Sequence, residues 1–221
     1  MRSSKIRAVL FDMDGVIVDT EPLHLRSFNE VLRPLGVRIS RDVWTTRYTG
    51  TGSVFIMSDI FRRNRLPGDP MEYVERRKWL YQRLVLSSRI RTIRGFRQFN
   101  AWLNRLGMKK AIVSGGHRDN LLAVLRKIGL EKEFMFVSLE DVKNRKPHPE
   151  GFLLAAKRLG VRPRECLVFE DSPSGVKAAK RAGMICVALT TSTTRKKLRG
   201  ADYFARDFTD FSQRLRDRLF A

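Results

Sequence analysis

Arg7-Ala8-Val9-Leu10-Phe11-Asp12-Met13-Asp14-Gly15-Val16 decides how the chain is read, because a short apolar run ends abruptly in two acids and a glycine. Arg7 to Phe11 predicts a buried parallel strand. Strand side chains alternate between faces, so Asp12 and Asp14 fall on one side, at the strand's C-terminal end. Open α/β sheets bind ligands at that edge. Taken alone, the acid pair reads equally as an acidic turn. A calcium-binding loop is excluded, since it needs an oxygen ligand and then a glycine where this chain has Val16 and Ile17.

After Asp19 the pattern turns helical. Phe28, Val31, Leu32 and Leu35 mark one apolar helix face, closed by Gly36, and Val54 to Phe61 predicts a second helix. Tyr73, Leu80 and Leu84, with Val74, Tyr81 and Val85, form a broad stripe on a third, longer helix, set off by Leu66-Pro67-Gly68-Asp69-Pro70. From Gly95 onward helices and strands alternate. Strands are predicted at Lys110 to Val113, Phe134 to Val137, Cys166 to Phe169, Met184 to Leu189 and Ala201 to Phe204. A last helix is expected with Asp207 as its cap and Phe208, Phe211, Leu215 and Leu219 on its apolar face. Repeated β-α units imply an α/β fold with a mainly parallel sheet, a Rossmann-like three-layer core. The strand-free stretch implies an all-helical cap inserted after the first strand, giving a core of residues 1–18 and 92–221 and a cap of residues 19–91.

The 221 residues carry 44 basic and 23 acidic side chains, a net charge of +21 spread along the chain, which suggests attraction to anions in general. Arg195-Lys196-Lys197-Leu198-Arg199 is the densest basic patch. Specific nucleic-acid binding is not expected from dispersed charge. The apolar run after Lys5 is broken by Asp12, so no secretory h-region is read, and no segment approaches the ~18 apolar residues of a membrane span. A cytoplasmic protein is the expectation. Cys166 and Cys186 each lie in an apolar run and read as core. The sequence carries no signal of oligomeric state.

Polar groups end four of the β units: Asp12 with Asp14, Ser114, the loop carrying Lys146, and Glu170 with Asp171. In a parallel sheet these ends share one edge. Carboxylates gathered there repel and raise one another's pKa unless a cation compensates them. Magnesium suits such a site, because it takes oxygen ligands and bridges carboxylates to phosphate, while Lys146 and Ser114 would supply a cation and a hydroxyl to the same phosphate.

The motifs Asp12-Met13-Asp14-Gly15-Val16, Val113-Ser114-Gly115-Gly116, Lys146-Pro147-His148-Pro149 and Phe169-Glu170-Asp171-Ser172-Pro173-Ser174-Gly175 resemble those of the haloacid dehalogenase (HAD) superfamily. The resemblance is closest to the subgroup of β-phosphoglucomutase and small-metabolite phosphatases. It implies a Rossmann-like core with a helical cap, Asp12 as nucleophile, and Asp14 as general acid/base. It also implies Ser114, Gly115 and Lys146 as phosphoryl binders, and a magnesium site of Asp12, the Asp14 carbonyl, Glu170 and Asp171. An acid at Asp14 separates phosphate-ester enzymes from the dehalogenases.

A magnesium-dependent phosphatase of small phosphorylated metabolites, acting through an aspartyl phosphate on a small-molecule phosphate ester, is therefore expected. A β-phosphoglucomutase-like hexose-phosphate mutase is the alternative. His24 matches the mutase's cap-hinge histidine, but Thr49-Gly50-Thr51-Gly52-Ser53 lacks the arginine that follows the matching mutase loop. Gly115-Gly116-His117-Arg118 also departs from it, with His117 or Arg118 as further phosphate or substrate contacts. A third reading, a basic polyanion-binding protein with an idle site, is opposed by the intact acid pair and Lys146.

Overall fold

The structure, a computed structural model, describes residues 5–211 and 213–220. Six parallel strands form one sheet in the order β3-β2-β1-β4-β5-β6. They are β1 Ala8–Phe11, β2 Lys109–Val113, β3 Met135–Val137, β4 Cys166–Glu170, β5 Ile185–Leu189 and β6 Tyr203–Ala205. From β1 the chain builds outward through β2 to β3, then returns to the other side of β1 for β4. The order therefore reverses between β1 and β4, the switch point at which such sheets open a ligand crevice.

The period of two divides the sheet's side chains between two layers. Val9, Phe11, Ile112, Leu167 and Phe169 pack with Phe96, Phe99, Phe208 and Phe211 on one face. Ala8, Leu10, Ala111, Val168 and Cys186 pack with Phe152 and Ala155 on the other. Phe11 and Phe169 are register partners on β1 and β4, and their rings stack with centroids 5.5 Å apart. Burial on both faces explains why these strands are continuously apolar up to their polar ends. Helices α5 (Phe96–Arg105), α6 (Arg118–Lys127), α7 (Glu150–Leu159) and α8 (Pro173–Arg181) connect the strands. Both cysteines are free and buried.

The segment after β1 contains helices α1 (Glu21–Leu32), α2 (Arg41–Val43), α3 (Ser53–Asn64) and α4 (Pro70–Ser87), with a π-helical turn at Trp44–Tyr48. It has its own buried cluster, including Phe28, Leu32, Trp44, Met57, Ile60 and Phe61, so it is held together largely by its own apolar faces.

The C-terminus corrects the sequence reading. Helix α9 spans Gln213–Phe220, and Asp207 lies in a preceding turn, where it accepts hydrogen bonds from the Thr209 amide at 2.7 Å and hydroxyl at 2.5 Å. Phe208 and Phe211 are buried without a helix, because that turn drives both rings against Phe99 and Phe169. The Leu215 side chain lies outside the described residues. Among the described residues no helix is long and apolar enough to cross a membrane.

Candidate active site

The C-terminal ends of β1, β2 and β4 meet beside the switch point. Asp12 leaves β1 with its amide donating to the Phe169 carbonyl at 3.0 Å, and Ser114 leaves β2 with its amide donating to Val137 at 3.0 Å. Between them stands Lys146, carried by the loop before α7. Its ammonium donates to Asp12, to Glu170 Oε1 at 2.6 Å and to the Val113 carbonyl at 2.9 Å. Burial favours its neutral form, but the charges of Asp12 and Glu170 outweigh this and raise its pKa, so it remains an ammonium.

Glu170 is fully buried and braced from the other side, with Oε2 accepting from the Asp171 amide at 2.9 Å and from the Ser172 amide and hydroxyl at 3.0 Å. It holds Lys146 in place from beneath the cavity. Two glycines permit this packing. A Cβ on Gly175 would stand 1.7 Å from Glu170 Oε1, and one on Gly15, whose φ is +74°, would stand 1.9 Å from Asp171 Oδ2.

Asp12, Glu170 and Asp171 each bring an oxygen to within 4.8 Å of the others. Burial first, then Lys146 lowering and Glu170 and Asp14 raising, leaves the Asp12 carboxyl pushed up to about 7. Burial, with Glu170 and Asp12, pushes Asp171 well up too. Three carboxyls against one ammonium leave negative charge uncompensated. This all-oxygen donor set, kept open by Gly15 and Gly175, fits a hard divalent cation such as magnesium.

Asp14 has a different setting. Burial pushes its carboxyl up, but hydrogen bonds from His24 and Thr20, with the charges of His24 and Arg77, hold it below its ordinary value. His24 Nε2 lies 3.6 Å from Asp14, and the imidazole stacks on Tyr81 with centroids 4.3 Å apart. The two acids are thus tuned apart, the Asp12 carboxyl upward and the Asp14 carboxyl downward.

Asp12, Asp14, Ser114, Gly115, Lys146 and Asp171 line one cavity of about 440 Å³, whose opposite wall includes Gly50 to Ser53 and part of α4. His24 and His117 also face it. Arg118 does not line it, its guanidinium being held by Asp141 at 3.0 Å instead. Sequence reasoning missed Arg77, which is 7% exposed and, among the described residues, has no carboxylate within ion-pair distance. It donates to Ser27 and Ser53, both at 2.9 Å, contacts His24, and lies over the Phe28 and Tyr81 rings. Its signal was available: an arginine three residues after Val74, inside the apolar stripe of α4.

Residues 6–183 match the haloacid dehalogenase-like hydrolase family. The chain is 34% identical over 184 residues to a phosphorylated carbohydrates phosphatase of Thermotoga maritima, covering 81% of this chain and 82% of that protein. It is 34% identical over 180 residues to the fructose-1-phosphate phosphatase YqaB of Escherichia coli, covering 81% and 94%. The crystal structure of CbbY from Rhodobacter sphaeroides in complex with phosphate superposes with a TM-score of 0.84 at 27% identity, covering 94% of this chain and 96% of that one.

Proposed function

The chain belongs to the haloacid dehalogenase-like hydrolases and is a phosphatase of small phosphorylated metabolites, and from that premise we propose that it cleaves sugar phosphate-type monoesters with magnesium through a phosphorylated Asp12. The observation carrying the reading is the convergence of Asp12, Asp14, Ser114, Lys146 and Asp171 on one cavity.

In this reading Asp12 attacks phosphorus, the bond to the ester oxygen breaks, and Asp14 gives that oxygen its proton. Water then attacks the aspartyl phosphate, passing a proton to Asp14 as the bond to Asp12 breaks and phosphate leaves. Splitting one displacement into two lowers each barrier, and a positioned acid/base contributes about 10²- to 10⁴-fold. Because Asp14 is held low, it must gain its proton before the first step, in a setting where the Thr20 hydroxyl donates to it and His24 Nε2 lies 3.6 Å away. Lys146 and the Ser114 hydroxyl neutralise and orient the transferring oxygens. Magnesium, held by Asp12, Asp171 and the Asp14 carbonyl, with Glu170 behind, would add charge stabilisation.

Residues 19–91 act as a cap whose Gly50–Ser53 loop, His24 and Arg77 meet the substrate's alcohol portion, so these positions set selectivity. The test is phosphate release from sugar phosphates, nucleotides and other phosphomonoesters, with and without magnesium. Magnesium-dependent release from sugar phosphates, absent in Asp12→Asn, is expected. Release retained by Asp12→Asn overturns the nucleophile, and conversion of a sugar 1-phosphate to its 6-phosphate in place of release makes the enzyme a mutase.

A further inference from the structure

A second cleft, of about 1400 Å³, opens beside the catalytic cavity and is lined by neither Asp12, Ser114 nor Lys146. Glu21 and Trp44 line both spaces, and the Trp44 indole donates to Glu21 at 2.5 Å, so this pair forms the partition. The cleft has apolar lining in Leu25, Val37, Trp44 and Ile93. Arginines line it as well. Arg33, Arg38 and Arg41, all exposed, the first two in the eight residues that join α1 to α2 and the third opening α2, have no side-chain hydrogen bond or ion pair among the described residues.

Some of the other charges in the wall are paired. Arg26 is paired with Glu30 and Arg206 with Asp210, each at 2.6 Å. Glu21 accepts from the neutral Trp44 indole and Asp207 from the Thr209 amide, so both keep their negative charge. Asp19 and Arg94 remain, one of each sign. Six arginines therefore face four carboxylates in the lining, an excess of two positive charges, and Arg33, Arg38 and Arg41 are guanidinium groups with no partner among the described residues. A cleft with an excess of one sign focuses its field and concentrates ligands of the other, and the guanidinium fork matches phosphate oxygens in pairs. Small-molecule sites span about 300–1,000 Å³, so this cleft has room for a ligand with both phosphates and a ring.

We propose that this cleft is a binding site for a nucleoside polyphosphate, its planar base against Leu25, Val37 and Ile93 and its phosphates on Arg33, Arg38 and Arg41. The assignment gives a use to arginines that the phosphatase reading leaves idle, and accounts for part of the +21 net charge. It does not depend on turnover.

The test uses the full chain carrying Asp12→Asn, so that no probe is hydrolysed, in about 0.15 M salt, where charges beyond ~8 Å are screened. Saturable binding of ATP to one site is expected, with adenosine far weaker. Adding Arg38→Ala and Arg41→Ala should weaken ATP by about tenfold or more with the melting temperature unchanged. Lys196→Ala with Arg199→Ala, which removes the same charge elsewhere, should leave binding as it was. Absence of ATP binding, equal losses in the two double variants, adenosine binding as tight as ATP, or displacement of ATP by inorganic phosphate filling the catalytic cavity would each overturn the proposal. Unaltered phosphate release by the Arg38→Ala, Arg41→Ala enzyme with intact Asp12 keeps this result separate from the fate of the phosphatase reading.

Discussion

Lys146 Nζ stands 2.6 Å from Glu170 Oε1 and 2.9 Å from the Val113 carbonyl while also donating to Asp12, so one ammonium ties together the ends of β4, β2 and β1. Lys146→Met would leave Asp12 and Glu170 facing each other without it. Removing one partner of a buried ion pair costs about 3–5 kcal/mol, and removing a donor to a transferring group costs about 10²- to 10³-fold in kcat. Both a lower melting temperature and a collapsed rate of phosphate release are expected. A variant within tenfold of the parent enzyme would remove Lys146 from the chemistry.

Magnesium should stabilise the fold as well as support activity, since it would enter a site where three carboxyls gather and the Lys146 ammonium pairs with two of them, Asp12 and Glu170. A ligand at ~100 times its Kd adds about 2.7 kcal/mol, which raises the melting temperature of a chain of this size by several degrees. Asp171→Asn should abolish most of that rise. A melting temperature indifferent to magnesium in the parent protein would argue against the metal site directly, without reference to turnover.

Two glycines near the site should respond in opposite ways. Alanine at Gly175 would drive its Cβ to 1.7 Å from Glu170 Oε1, whereas at Gly115 nothing lies within 4 Å. Overpacking of this kind costs about 1–3 kcal/mol, and here it would also push Glu170 off Lys146. Gly175→Ala is expected to melt early and lose activity, and Gly115→Ala to melt as the parent does. Equal melting temperatures would mean that Glu170 has room to move and does not need its present position.

What was legible in the sequence followed from local rules. Phe11-Asp12 and Phe169-Glu170-Asp171 announce themselves because apolar runs in a buried parallel sheet give way to acids only where the strand leaves the core. The parallel order then forces their convergence without any contact being known. Arg77 was hidden for the opposite reason: its neighbours Ser27, Ser53 and His24 come from other helices, and only packing shows that an arginine in an apolar stripe is enclosed by hydroxyls and rings. Asp14's low setting depends likewise on Thr20 and His24 folding back onto it. The start of α9 was misplaced because Phe208 and Phe211 satisfy a helical period while a turn buries them equally well.

The helical segment should carry its own acid sensitivity through Asp59. This carboxyl, 5% exposed, accepts from Arg47 at 2.8 and 2.9 Å, from Tyr48 at 2.9 Å and from Arg62 at 2.7 Å. The Arg47 hydrogen bonds, helped by Tyr48 and Arg62, outweigh burial and hold its pKa well below the ordinary 3.8. The unfolded chain therefore takes up this proton first as pH falls, and protonation favours unfolding. The contribution is fully present above the ordinary carboxylate range and drains away as pH drops through the folded value. Asp59→Asn should thus lower the melting temperature most at neutral pH, and the gap between variant and parent should narrow steadily below about pH 4. Melting curves from pH 7 downward measure it, and a gap constant with pH would show that Asp59 works through its shape and hydrogen bonds alone, with no contribution from its charge.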